Sequence, residues 1–169
     1  MTDTIWTLIG TGSFSSIWFW VFLGILWAHV MQAPLGVPVD LVRRAQGGDG
    51  AAADDLRALT GVRLSEAQRL ARMAPWRAGG WAFALALLAG LAVPYGIELA
   101  QAALALAVPL AWVRWVETRA AGRMAEVPDM SALIRAHMAL RRKVQGIGIA
   151  AVFLTSVFGM LRLLAERVF

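Results

Sequence analysis

Four runs of apolar residues, set apart by arginine-rich polar stretches, organise this chain. The first, residues 15–32 (SSIWFWVFLGILWAHVMQ), carries no formal charge and stops ahead of Pro34 and Pro38. A bilayer crossing needs about 20 residues of this kind, so the run predicts a transmembrane helix. No Lys or Arg precedes it and no small-x-small cleavage site precedes a mature start, so it reads as a retained helix and not as a leader. Trp18, Trp20 and Trp27, near its two ends, are expected as interfacial anchors.

Residues 79–97 and 99–116 form two further runs, divided by Val93-Pro94-Tyr95-Gly96 and by the polar pair Glu98 and Gln101. Together they are too long for one crossing and just long enough for two, which predicts a tight helical hairpin punctuated by Pro and Gly. The fourth run, residues 145–164 (QGIGIAAVFLTSVFGMLRLL), is rich in small residues. Gly148, Ala151, Thr155 and Gly159 recur at spacings of three and four, on one face of a helix. Lipid tails are as apolar as leucine, so helices in a bilayer associate by close approach, and that face is expected to pack on another helix. The pattern predicts an all-α integral membrane protein, a single membrane domain over residues 1–169 with four transmembrane helices at about 15–32, 79–97, 99–116 and 145–164.

The polar stretches carry helices of their own. In residues 33–78, Gly47-Gly48-Asp49-Gly50 is a flexible break, residues 54–60 are helix-prone and Gly61 is placed to end them as a C-cap. Ser65-Glu66-Ala67-Gln68 fits a capping box that opens a further helix, stopped at Pro75. In residues 117–144, Asp129 or Ser131 can cap a helix with Met130, Leu133, Ile134, Met138 and Leu140 broadly on one side and Arg135, Arg141, Arg142 and Lys143 elsewhere. A basic amphipathic helix of this kind is expected to lie in the headgroup layer.

Composition strengthens the membrane reading: 59% hydrophobic and 16% charged residues, with a mean hydropathy of +0.63, against about 45–50% and about 25% in soluble domains. The distribution of charge sets the orientation. Seven basic residues lie in 33–78 and seven in 114–143, fourteen of the sixteen in the chain. Basic residues beside spans stay cytoplasmic, so both polar stretches are expected inside and both termini outside. The excess of arginine over lysine and the abundance of alanine suit a GC-rich bacterial genome, hence a bacterial inner membrane with both termini periplasmic. With the +5 net charge flanking apolar spans, anionic phospholipid is the expected partner and nucleic acid is not. The absence of cysteine excludes disulfides, thiolate metal sites and thiol nucleophiles.

Chemistry-bearing residues are few. His29 lies within the first span, where an interhelical hydrogen bond is its simplest use and ligation of a macrocycle the sharper alternative. His137 lies in the cytoplasmic amphipathic segment, so no pair of histidines is available between spans. Glu98 and Gln101 mark the outer end of the hairpin: a polar tip, or a gate if the protein transports. Trp112, Arg114, Trp115, Glu117 and Arg119 end the third span on the inside, where Arg114 and Glu117, three apart, can pair. Trp76 and Arg77 face them across the interface, and Arg141, Arg142 and Lys143 add further contacts to lipid. No phosphate-binding loop, zinc-protease motif or nucleophile elbow occurs, and no metal or cofactor is expected.

The four-span layout is similar in topology to the membrane-associated eicosanoid and glutathione enzymes. The Arg, Asn and Glu cluster that such enzymes carry at the start of the second span is absent, with Trp76-Arg77-Ala78-Gly79-Gly80-Trp81 in its place, and the chain is not assigned to them. The expectation is a non-catalytic accessory or assembly subunit of a larger inner-membrane complex, respiratory or photosynthetic, that binds other membrane subunits and lipid. A small transporter or channel working as a homo-oligomer is the alternative, and an interfacial membrane enzyme acting through Trp76, Arg77 and Arg114 the third reading.

Overall fold

The computed structural model describes residue 14, residues 16–127 and residues 129–168, with side chains through residue 165. The N-terminal tail, and residue 15 at the start of the first expected span, lie outside the described residues. Six helices and no strand occur among the described residues: α1 (Ile17–Gln32), α2 (Val39–Gln46), α3 (Gly50–Ala71), α4 (Ala74–Ala92), α5 (Glu98–Met124) and α6 (Met130–Val168). The protein is all-α. Two helices, Glu98–Met124 and Met130–Ala165, are long and apolar enough to cross a membrane. α1 is apolar but has only 16 residues, and α4 spends its first turns on Pro75, Arg77, Gly79 and Gly80.

Two expectations about the first polar stretch are corrected. Gly61 does not end a helix, because α3 runs unbroken for 22 residues from Gly50 to Ala71. A glycine in a helix interior costs about 1 kcal/mol, and here Leu56 and Thr60, buried just before it, anchor the helix through that weak point. Ser65 is likewise internal, its hydroxyl donating back to Val62 O at 2.8 Å and capping nothing. The N-cap of α3 is Asp49, which accepts from Ala52 N at 3.1 Å. α3 ends at Ala71, ahead of the expected stop at Pro75, and Pro75 itself sits in the first turn of α4, where its missing N–H leaves no hydrogen bond unmade. The short α2 has no counterpart in the expectations. It starts after Pro38 and buries Val42 and Ala45, three apart, while Arg43 and Arg44 point to solvent.

The largest correction concerns the second polar stretch. Its amphipathic helix and the fourth apolar run are one helix, α6, of 39 residues, or about 58 Å at 1.5 Å per residue. No proline or glycine falls between residues 130 and 145 to separate them. Asp129 supplies the start, accepting from Ala132 N at 3.3 Å and from the Ser131 hydroxyl, and those bonds hold its carboxyl below the usual range. A continuous helix cannot both lie flat in a headgroup layer and continue into a bilayer, so the apolar side of its first half packs on protein instead.

The core has two parts. One gathers Leu23 and Trp27 of α1, Val113 and Met124 of α5, and Leu133, Leu140, Val144 and Ala151 of α6. The other sits below it, where Val37, Val42, Ala45, Ala52 and Leu56 meet Met130, Ile134 and Met138 of α6. We call the second part the cap. Trp27 therefore corrects an expectation: it is 1% exposed, inside the core and not at an interface. Trp18 is exposed and Trp20 half-buried.

Candidate functional site

The expected small-residue face is buried, and its partner is the chain's own α1. Val144, Gly148, Ala151, Thr155 and Gly159 are all buried along one stripe of α6. A Cβ on Gly148 would lie 2.9 Å from Met31 Sδ and 3.0 Å from Trp27 Cε3; one on Gly159 would lie 3.0 Å from both Phe14 and Trp20. Gly146, two residues away, meets nothing within 4 Å. The glycines let two bulky tryptophans of α1 lie flush on α6, so this face is occupied within the chain.

At the α4–α5 tip, Gly96 takes the left-handed backbone (φ +63°) that the tight reversal needs. Gln101 Nε2 donates to Ala92 O at 3.0 Å across the hairpin, and Glu98 Oε1 accepts from Phe14 N at 2.7 Å. Both polar residues of the tip therefore fasten one segment of the chain to another. His29 stands on the exposed side of α1, and no hydrogen bond of the described residues reaches it.

Arg114 and Glu117 form the expected pair, at 3.0 Å, but the carboxylate has a second duty that spacing alone does not reveal. Glu117 is 7% exposed and its Oε1 accepts from Leu35 N at 2.8 Å. Leu35 has φ 58°, a left-handed conformation that a branched residue rarely adopts. It lies in the one-turn 3-10 segment Pro34–Gly36 that reverses the chain after α1. Gly36 follows with φ +70°, and a Cβ there would lie 2.8 Å from Arg63 Nε, so Arg63 closes over the turn from α3. Glu117 thereby ties α5 to the turn that carries the chain from α1 into the cap.

A second buried polar contact joins α3 to α6. Thr60 Oγ1 and His137 Nε2 are 3.0 Å apart, in a hydrogen bond whose direction follows the imidazole tautomer. Thr60 is 2% and His137 5% exposed. Burial alone lowers the His137 pKa from 6.5 to about 4, so the ring is neutral at pH 7. The amphipathic pattern of residues 117–144 places His137 near the apolar side of its helix, and that was the available signal.

Of the residues assigned to an interface, Trp76 (85% exposed), Arg77, Trp112, Trp115, Arg142 and Lys143 are exposed and Arg141 is half-buried. Arg114 turns to Glu117 and makes no hydrogen bond or ion pair with Trp76 or Arg77. Instead, α5 and α6 bring Trp112, Trp115 and Lys143 together along a shared face. A groove of about 760 Å³ runs between Leu104, Val108 and Trp112 on α5 and Ile147, Ala150 and Leu154 on α6. One turn further toward the cap, the same two helices form a cleft of about 320 Å³ lined by Trp115, Arg119, Arg123, Leu140 and Lys143. Arg119 Cζ lies 4.1 Å from the centre of the Trp115 ring, a cation–π contact that holds the guanidinium at the rim. Sequence reasoning named Trp112, Trp115 and Arg119 together and Lys143 apart from them; Arg123 was missed as a member of this group. Among the described residues, no three His, Asp or Glu side chains gather as a metal site.

No family model matches the chain, and no curated protein or solved structure is significantly similar to it.

Proposed function

We propose that this chain is a four-span membrane protein, α1, α4, α5 and the second half of α6 crossing the bilayer, that serves as a non-catalytic accessory or assembly subunit of a larger bacterial inner-membrane complex. The supporting observation is the placement of large apolar side chains on the outside. Phe22 and Ile25 of α1, Phe83 and Leu87 of α4, and Phe153 and Leu161 of α6 all point away from the core. Contiguous exposed apolar surface on this scale marks contact with lipid or with other proteins. α4 packs chiefly against α5 and leaves its remaining sides uncovered, which offers a surface to partner helices. Gln101 closes the hairpin tip and Glu98 fastens it to Phe14, uses that favour this reading over a transport path.

The basic segments lie on the cytoplasmic side in this arrangement, with both termini periplasmic. Affinity purification from carbonate-washed membranes in a mild detergent, followed by native mass measurement, tests the proposal. Foreign membrane subunits in defined ratio are expected. A particle built only from copies of this chain would overturn the accessory role and favour the oligomeric transporter. A phosphatase fused to the C-terminus is expected to be active, and an inactive fusion would remove one span.

A further inference from the structure

We infer that the α5–α6 face holds one molecule of an anionic glycerophospholipid, its phosphate at Arg119, Arg123 and Lys143 and an acyl chain in the groove above. The inference rests on the proposal that the chain spans a membrane, and it names a site within that reading.

Two independent features of one face carry it. The first is shape and polarity. The groove is walled by Leu104, Val108 and Trp112 on one side and Ile147, Ala150 and Leu154 on the other, and it is open to the outside of the helix pair. From Gln101 to Trp112, both on its wall, α5 rises about 16 Å at 1.5 Å per residue, close to half of a hydrocarbon core of about 30 Å. The groove is long enough to take an acyl chain that enters at its Trp112 end.

The second feature is charge. The wall of α5 continues in steps of three and four from Trp112 through Trp115 and Arg119 to Arg123, and that of α6 descends from Ile147 to Lys143. The groove therefore opens into the cleft without changing face. Three cations line the cleft, and no carboxylate lines either part. Glu117 is on another side of α5, bonded to Leu35 N and Arg114, and Asp129 is bonded to Ser131 and Ala132. Among the described residues, no ion pair engages Arg119, Arg123 or Lys143. Trp115 lies at the junction of the two parts, which suits an indole at the headgroup boundary, and it orients Arg119 toward the rim. A guanidinium pair and an ammonium around one opening match a phosphate diester in charge and in hydrogen-bond donors. A water-soluble phosphate has no use for the groove, and a neutral lipid has none for the cations.

The test uses the full chain, delipidated in mild detergent and titrated with phosphatidylglycerol, phosphatidylcholine or glycerol phosphate, with bound mass counted by native mass spectrometry. One phosphatidylglycerol per chain is expected, at least tenfold tighter than phosphatidylcholine or glycerol phosphate. The substitution set Arg119→Gln, Arg123→Gln and Lys143→Gln is expected to weaken it tenfold or more, since each basic residue contributes measurably to anionic-lipid attraction. Lys143→Gln alone, at an exposed position, is expected to lose part of this and serves if the triple variant does not fold. Ala105→Phe with Ala150→Phe, which fills the groove and leaves every charge in place, is expected to lose the lipid but not any affinity for glycerol phosphate. Arg141→Gln with Arg142→Gln, outside the cleft, is expected to change little.

Equal losses in the cleft set and in the Arg141/Arg142 set would mean unspecific attraction and overturn the site. Equal binding of the two lipids, or of glycerol phosphate and phosphatidylglycerol, would overturn the lipid assignment. A chain that binds both lipids alike yet resists carbonate extraction refutes this inference alone, whereas a chain released by carbonate refutes the membrane reading beneath it.

Discussion

The contact of α1 with the second half of α6 and the contact of the cap with its first half differ in how they bury surface. In the first, apolar groups occur on both sides of each helix, so hydrophobicity does not tell inside from outside. What selects the interface is steric: Gly148 is the position where Trp27 and Met31 fit, and Gly159 the position where Trp20 fits. In the cap, apolar and charged positions are segregated. Val42, Ala45, Ala52 and Leu56 are buried while Arg43, Arg44, Asp54 and Arg57 are exposed, and the one polar pair inside, Thr60 and His137, is mutually satisfied. The same helix therefore follows the rule of close packing along one half and the rule of amphipathic burial along the other. The change between them comes near Val144, fully buried between the two.

Gly148 and Gly159 are the most sensitive positions of the first contact. Gly148→Leu or Gly159→Leu drives a branched side chain into indole rings about 3.0 Å away, and a loss of about 3 kcal/mol or more is expected from overpacking. Unfolding in detergent, followed by far-UV circular dichroism as SDS is raised, measures it. A midpoint equal to the wild type's would mean that α1 does not rest on this face.

Acid should act on the cap and spare the glycine contact. His137 has a pKa of 6.5 when unfolded and about 4 when buried, so between those values the unfolded state binds more protons. Stability is full above about pH 6.5 and is lost as pH falls toward 4, by up to about 3 kcal/mol at 1.36 kcal/mol per unit. Amide hydrogen exchange in α3, corrected for intrinsic rates, should speed up at pH 4.5 relative to pH 7, with the amides of α1 unaffected. His137→Leu should flatten that dependence; equal acceleration in both helices would refute the separation.

Glu117→Ala should fall between the two regions, because this carboxylate fastens the turn that joins them. It removes the acceptor of Leu35 N and leaves a partly buried donor unpaired in a left-handed residue, which costs about 1–3 kcal/mol. Glu117→Gln keeps an acceptor and should recover most of it. Protection of α2 against proteolysis reports the difference, and equal protection in the Glu117→Ala variant and the wild type would mean that the turn holds by itself. The smallest effect sharpens the first prediction: Gly146→Leu, at a position with nothing within 4 Å, should shift stability by no more than about 0.5 kcal/mol.

The apolar runs were legible because they depend on residue type along the chain, and α1, α4, α5 and α6 fall on them. Local spacing also sufficed for Arg114 with Glu117, for the Asp129 cap and for the stripe from Gly148 to Gly159, since a helix brings residues three and four apart together whatever surrounds it. The boundaries failed where tertiary contact outweighed local preference. Gly61 and Ser65 are breaking or capping signals taken alone, yet docking of Leu56 and Thr60 carries α3 past both. Residues far apart in sequence have no local signature. Nothing in residues 30–40 announces that Glu117, 82 positions on, will hold Leu35, nor does α3 announce that His137 will meet Thr60, 77 positions away. Sequence periodicity determined that these segments are helices and which of their faces are apolar. Only the tertiary structure decided which apolar face meets which, because in a chain this hydrophobic that choice rests on the fit of particular side chains and on a few buried polar bonds.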